Sequence, residues 1–115
     1  MVREKSVLDS EQVASFAEQG YLLLENALTD VQLIALRARF EDWVNESRQF
    51  SRSYGQTLDG RARFDVEPGH TSNHPALRRV SSPIEVSNAY LEVMRDSRAL
   101  DAVTQLLGPN VKLNN

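Results

Sequence analysis

The sequence predicts an α+β domain, rich in helix towards its N-terminal end, and three observations carry that prediction. Two stretches with the same punctuation, LDSEQV at 8–13 and LTDVQL at 28–33, read as helix starts and bracket a continuous apolar run, Tyr21-Leu22-Leu23-Leu24. From Arg48 to His74 the apolar periodicity dissolves into Ser, Gly, Arg and Asp. The last eleven residues, QLLGPNVKLNN, stop a helix at Gly108-Pro109 and begin an alternating stretch that reads as a strand. At 115 residues, 41% hydrophobic and 25% charged, the chain is long enough for one core and too short for two.

At each of the two starts an Asp or Thr can cap the first free N–H groups, and a Gln three residues on can reach back. The first helix carries Val13, Phe16 and Ala17 on one face and ends at Gly20, which takes a left-handed cap most easily. Tyr21–Leu24, too short for a helix, reads as a strand buried on both faces. The second helix places Leu33, Leu36, Phe40, Trp43 and Val44 at helical spacing and turns Arg37, Arg39, Glu41 and Asp42 largely away. Within the long loop of 48–74, one island alternates, Arg63-Phe64-Asp65-Val66-Glu67, and predicts a single strand before Pro68-Gly69. Ser82-Pro83-Ile84-Glu85 then supplies a capping serine, a proline at the first helical position and a glutamate at the third. Val86, Tyr90, Val93 and Met94 follow on one face. After a break near Asp96-Ser97, Leu100, Val103 and Leu107 face inward on a last helix. Trp43 and Tyr90, spaced among aliphatics, are expected as core anchors.

The composition removes whole classes of function. A formal net charge of −3 gives no global reason to expect nucleic acid or an anionic membrane as partner. Without cysteine there are no disulfides, thiolate metal sites or cysteine nucleophiles, which fits a reducing cytoplasm. No run of eighteen apolar residues and no signal-peptide core is present. His70 and His74 are the only histidines, held in GHTSNHP between Gly69 and Pro75, with no glutamate between them as a zinc hydrolase needs. Neither is followed two residues later by an acid, so the H-x-D half of a non-haem iron facial triad is missing and no metal ligand is assigned. No serine elbow and no phosphate loop occurs, and no catalytic residue is assigned.

Two basic features remain. Arg48, Arg52, Arg61 and Arg63 stand against the single acid Asp59, interleaved with Phe50, Tyr54 and Phe64, a pattern that suits single-stranded nucleic acid or a phosphorylated substrate and equally a solvated loop. Arg78-Arg79 could form a fork for a carboxylate or phosphate, or could be two surface arginines.

Taken in order, LDSEQVASFAEQGYLLL, ALTDVQLIALRARFEDWV, HPALRRVSSP and YLEVMRDSRALDAVTQLLGPNVKLNN resemble the N-terminal half of the phytanoyl-CoA dioxygenase family of Fe(II)/2-oxoglutarate oxygenases. The most specific pieces are the EQGY after the first helix and the closing LLGPNVKLNN. The resemblance implies that residues 1–115 are one part of a single domain, helices packed on the first strands of an incomplete double-stranded β-helix of jelly-roll type. It also implies that the chain stops before the iron-binding H-x-D, which in relatives lies shortly after the strand beginning at Val111. Fe(II) and 2-oxoglutarate are then cofactors of the complete domain, with no specific binding expected of this chain alone. Of the residues present, Asn115 is the candidate for co-substrate contact, and Arg78 and Arg79 are candidates for an acidic small-molecule substrate. The competing expectation is a non-catalytic interaction domain that binds through the arginine-rich loop 48–64.

Overall fold

The computed structural model describes residues 6–113, and it is α+β: four α-helices and one three-stranded antiparallel sheet among those residues. The order is α1 (Ser10–Gln19), α2 (Asp30–Ser47), β1 (Tyr54–Gln56), β2 (Ala62–Val66), β3 (Leu77–Val80), a 3₁₀ turn (Pro83–Glu85), α3 (Asn88–Arg95) and α4 (Arg98–Leu107). The chain divides into two compact units. A terminal unit takes the chain up to Asp30 and from Glu92 onward, and a central unit takes Val31–Leu91.

In the terminal unit the first helix starts as its sequence predicts. The Asp9 side chain accepts the Gln12 N–H at 2.8 Å while the Gln12 side chain accepts the Asp9 N–H at 2.9 Å, a reciprocal box, and Gly20 closes the helix at φ +81°. Gln105 of α4 then reaches the chain ahead of α1. Its Oε1 accepts the Val7 and Leu8 N–H groups at 3.1 and 2.9 Å, and its Nε2 donates to the Leu8 carbonyl at 2.9 Å. That amide fixes the backbone of Leu8, whose side chain is buried, as is Ala102 on α4. Ser97 caps α4 by accepting the Leu100 N–H at 3.2 Å. The Ala99 N–H donates to the Ala27 carbonyl and Arg98 Nε to that of Asn26, both at 3.1 Å, so the turn before α2 is tied to the start of α4.

Two expected strands do not form here. Tyr21–Leu24 is in no ladder and is not buried on both faces, since Tyr21 is 67% and Leu23 81% exposed. Val111–Leu113 likewise pairs with nothing among the described residues, and Asn114 and Asn115 lie outside them. An extended run becomes a strand only through the hydrogen bonds of a neighbour, and the described part of this unit contains no strand to provide them.

The central unit is built around Trp43, which is 1% exposed. Phe40, Phe64 and Tyr90 surround its indole at ring-centre distances of 6.4, 6.0 and 5.2 Å in edge-on or tilted arrangements, and Arg39 lies 5.0 Å over its face. Both expected anchors therefore sit in one aromatic cluster, with the Tyr90 hydroxyl donating to the Leu36 carbonyl at 3.4 Å. The cluster continues through Tyr54, stacked 4.8 Å from Phe64, to Phe50, stacked 3.6 Å from Tyr54.

The region read as a loop with one strand holds the first two strands of a meander, with β3 just beyond it. β2 is the expected island, and β1 and β3 flank it with Tyr54 opposite Phe64 and Val80 opposite Phe64. The β1 strand is three residues long and contains Gly55 at φ +71°, where an added Cβ would stand 3.0 Å from that of Arg63. A strand that short with a glycine at its middle carries no alternation to read. The start expected at Ser82 also differs. Ser82 adopts φ +47° without a side-chain cap and only a 3₁₀ turn follows, while α3 begins later, where Ser87 Oγ accepts the Tyr90 N–H at 3.3 Å. Arg63 is the reason. Its buried guanidinium pairs with Glu85 at 2.6 Å and donates to the carbonyls of Ser81, Ser82 and Gln56 at 3.0, 2.8 and 3.3 Å. The glutamate and the backbone that would open a helix are taken up in holding a buried charge.

Candidate functional site

On the β2–β3 pair, Asp65 stands opposite Arg79 and Val66 opposite Leu77. Two steps along β3 thus answer one step along β2, and Arg78 is the extra residue of a β-bulge. In a regular strand consecutive side chains leave on opposite faces. At the bulge both arginines reach the same atom: Arg78 Nη2 lies 3.0 Å and Arg79 Nη2 2.8 Å from Asp65 Oδ2. The other carboxylate oxygen accepts from Ser53 Oγ at 2.7 Å, and the same hydroxyl accepts the Val66 N–H at 3.2 Å. Hydrogen bonding from Ser53, and then from Arg79 and Arg78, holds the Asp65 carboxyl below the usual carboxylate range. The carboxylate is largely covered, with 21% of its side chain exposed, whereas Arg78 and Arg79 keep 54% and 61% of theirs in solvent. The structure thus brings the two candidate arginines together and adds two residues that the sequence did not single out, Asp65 and Ser53. Their signal was present, an acid at the centre of the alternating island, but its meaning depends on the register with β3.

Of the four arginines of the 48–64 loop, Arg48, Arg61 and Arg63 are engaged within the fold. Arg63 is buried as described. Arg61 Nε lies 3.0 Å from both Asp59 oxygens and its Nη2 donates to Ser82 Oγ at 3.1 Å. Hydrogen bonds from Thr57 and then Arg61 lower the Asp59 pKa. Arg48 donates to the Ser72 carbonyl at 2.6 Å. The interleaved aromatics Phe50, Tyr54 and Phe64 stack on one another. Burial, and then the charge of Glu46, push the Tyr54 phenol up to about 12.

His70 is a structural residue. Buried, it places Nε2 at 2.8 and 3.0 Å from the carbonyls of Ser47 and Phe50 and receives the Ala76 N–H on Nδ1 at 2.8 Å. The donor at Ala76 requires a lone pair on Nδ1, so the proton sits on Nε2 and both nitrogens are spent in tying the end of α2 to the residue before β3. His74 is exposed in a turn closed by Thr71, whose Oγ1 accepts the His74 N–H at 3.0 Å. Among the described residues no three His, Asp or Glu side chains converge as a metal would require.

Within the terminal unit, α4 and the segment after it enclose an open cleft of about 500 Å³. Val93, Leu100, Val103, Val111 and Leu113 are among its walls, and Lys112 is its one cationic wall residue. No helix among the described residues is long and apolar enough to cross a membrane.

Two curated proteins match the chain, and both are ectoine dioxygenases. Those of Bordetella parapertussis and Bordetella bronchiseptica are each 32% identical to it over 104 residues, a match covering 90% of this chain and 30% of the relative. The chain therefore spans about 30% of the length of the curated relatives it matches. No family model matches it, and no solved structure does.

Proposed function

We propose that this chain is the N-terminal portion of a dioxygenase of the phytanoyl-CoA dioxygenase type, dependent on Fe(II) and 2-oxoglutarate. The observation that supports the reading most is the match to two ectoine dioxygenases along 90% of the chain. A likeness that ran through a single helix would say little. One that extends over 104 residues of a 115-residue chain spans far more than a single element. In this reading Tyr21–Leu24 and Val111–Asn115 take their places as strands when the rest of a double-stranded β-helix is beside them.

The histidines of this chain do not fit an iron site. His70 has no free nitrogen, and His74 sits alone in an exposed turn. The iron of such an enzyme would supply the oxidising chemistry from ligands other than these. The residues described here serve the substrate side: Arg78 and Arg79, held by Asp65, contact an acidic group of a small molecule, and α4 with the following segment walls an apolar space. Asn115 is the residue assigned to contact with the co-substrate. The 115-residue chain by itself is inactive.

The test is succinate release from 2-oxoglutarate with Fe(II) and, after the name of the relatives, ectoine as trial substrate. It is run on the 115-residue chain and on the protein extended through its reading frame to the length of the relatives. The extended protein is expected to release succinate coupled to hydroxylation and the short chain none. In the extended protein Asn115→Leu should raise the KM for 2-oxoglutarate without lowering Tm. Failure of the extended protein to consume 2-oxoglutarate with any substrate offered, or turnover by the short chain, overturns the reading.

A further inference from the structure

We infer that the Arg78–Arg79 bulge is a receptor for a single carboxylate group. This deepens the substrate assignment above and rests on it for the biological ligand, though not for the binding itself. A structural ion pair between β2 and β3 needs one arginine, and Arg79, directly opposite Asp65, supplies it. The second guanidinium adds repulsion against the first and brings no acceptor of its own. Only the bulge puts it there, because regular alternation would send Arg78 to the other face.

The result is two cations sharing one carboxylate oxygen, a local charge of +1, with the second oxygen already closed by Ser53. Each guanidinium spends one nitrogen on Asp65 and has no other protein partner among the described residues, so its remaining donors face solvent. Guanidinium donors suit a planar carboxylate. Charge favours it as well. A local charge of +1 is neutralised by one monoanion. The ligand class is therefore a small molecule presenting one carboxylate.

The experiment is a titration of the 115-residue chain at pH 8 and constant ionic strength with acetate, inorganic phosphate and chloride, read on the Nε–H resonances of the arginines. Acetate should shift Arg78 and Arg79 saturably with a millimolar Kd, and phosphate should bind no more tightly. Arg79→Gln should weaken acetate binding by about tenfold, the loss expected for charge-assisted hydrogen bonds. Arg79→Lys, which keeps the charge and loses the fork, should weaken it also, and Arg37→Gln on α2 should leave it unchanged. Shifts that do not saturate, shifts that chloride reproduces, or phosphate binding tighter than acetate would each overturn the inference, and the first two are read on the unmodified chain. No iron, 2-oxoglutarate or turnover enters the measurement, so its failure and that of the oxygenase reading are separate results.

Discussion

The two units bury their cores in different ways. The central unit closes on an aromatic cluster, from Phe40 and Tyr90 through Trp43, Phe64 and Tyr54 to Phe50, and Arg63, Arg61, Arg78 and Arg79 are tied to Glu85, Asp59 and Asp65. The terminal unit is held by hydrogen bonds at its helix ends and by the Gln105 amide, with Leu8 and Ala102 as its only buried apolar residues among those described. It leaves Tyr21, Leu23 and Leu107 well exposed. Apolar burial is the main favourable term in folding, while each net hydrogen bond adds only about 1 kcal/mol. A unit rich in caps and poor in buried apolar surface has its local structure specified before its core is complete.

The largest expected effect is at Trp43. Trp43→Ala should cost about 3–5 kcal/mol and release the ring contacts of Phe40, Phe64 and Tyr90 together, measured by urea unfolding followed in the near-ultraviolet. In the terminal unit Leu8→Ala should cost less, about 2–3 kcal/mol, and leave that aromatic signal in place. Equal losses from the two would erase the contrast.

Next comes the buried pair. Glu85→Leu leaves the Arg63 guanidinium with carbonyl partners and no counter-charge, and should cost about 3–5 kcal/mol. Adding Arg63→Met should recover most of it, since two apolar side chains of similar size do not carry the desolvation cost of the ions. A double variant as unstable as the single one would show that the arginine acts through its stem packing on Gly55 and not through its charge.

How much of this was legible follows the same division. The Asp9–Gln12 box, the Gly20 cap, Trp43 and the island at β2 could be read because each is written in residues close together in sequence. The β3 strand could not, because the bulge at Arg78 breaks the period-two pattern that marks a strand. The arginine pair could be named but not assembled: Asp65 becomes its anchor only through a pairing thirteen and fourteen residues away. The strand expected at Tyr21–Leu24 was a sound reading of apolar character, but a ladder needs a second strand.

Smaller effects should appear at the ends of the pH scale, and both belong to the central unit. Asp65 and Asp59 have lowered pKa values, so the stability they contribute is present above the usual carboxylate range and is lost as pH falls through their folded-state values. Asp65→Asn should flatten the acid limb of the unfolding midpoint below about pH 4. Tyr54 titrates near 12 in the fold, against 10.0 ordinarily, so its contribution is intact below pH 10 and is lost from there to about 12. Tyr54→Phe should remove part of that alkaline loss. Unchanged limbs in both variants would place the pH response elsewhere.

The proposed function implies that the terminal unit is completed by further strands of an oxygenase domain whereas the central unit completes itself. Amide hydrogen exchange on the 115-residue chain and on the extended protein tests it most directly. Tyr21–Leu24 and Val111–Leu113 should exchange freely in the short chain and become strongly protected in the long one, while Ser81, whose N–H donates to the Arg63 carbonyl at 2.8 Å across the sheet, should be protected in both. Protection of Tyr21–Leu24 already in the monomeric short chain, or its absence from the extended protein, would contradict the account.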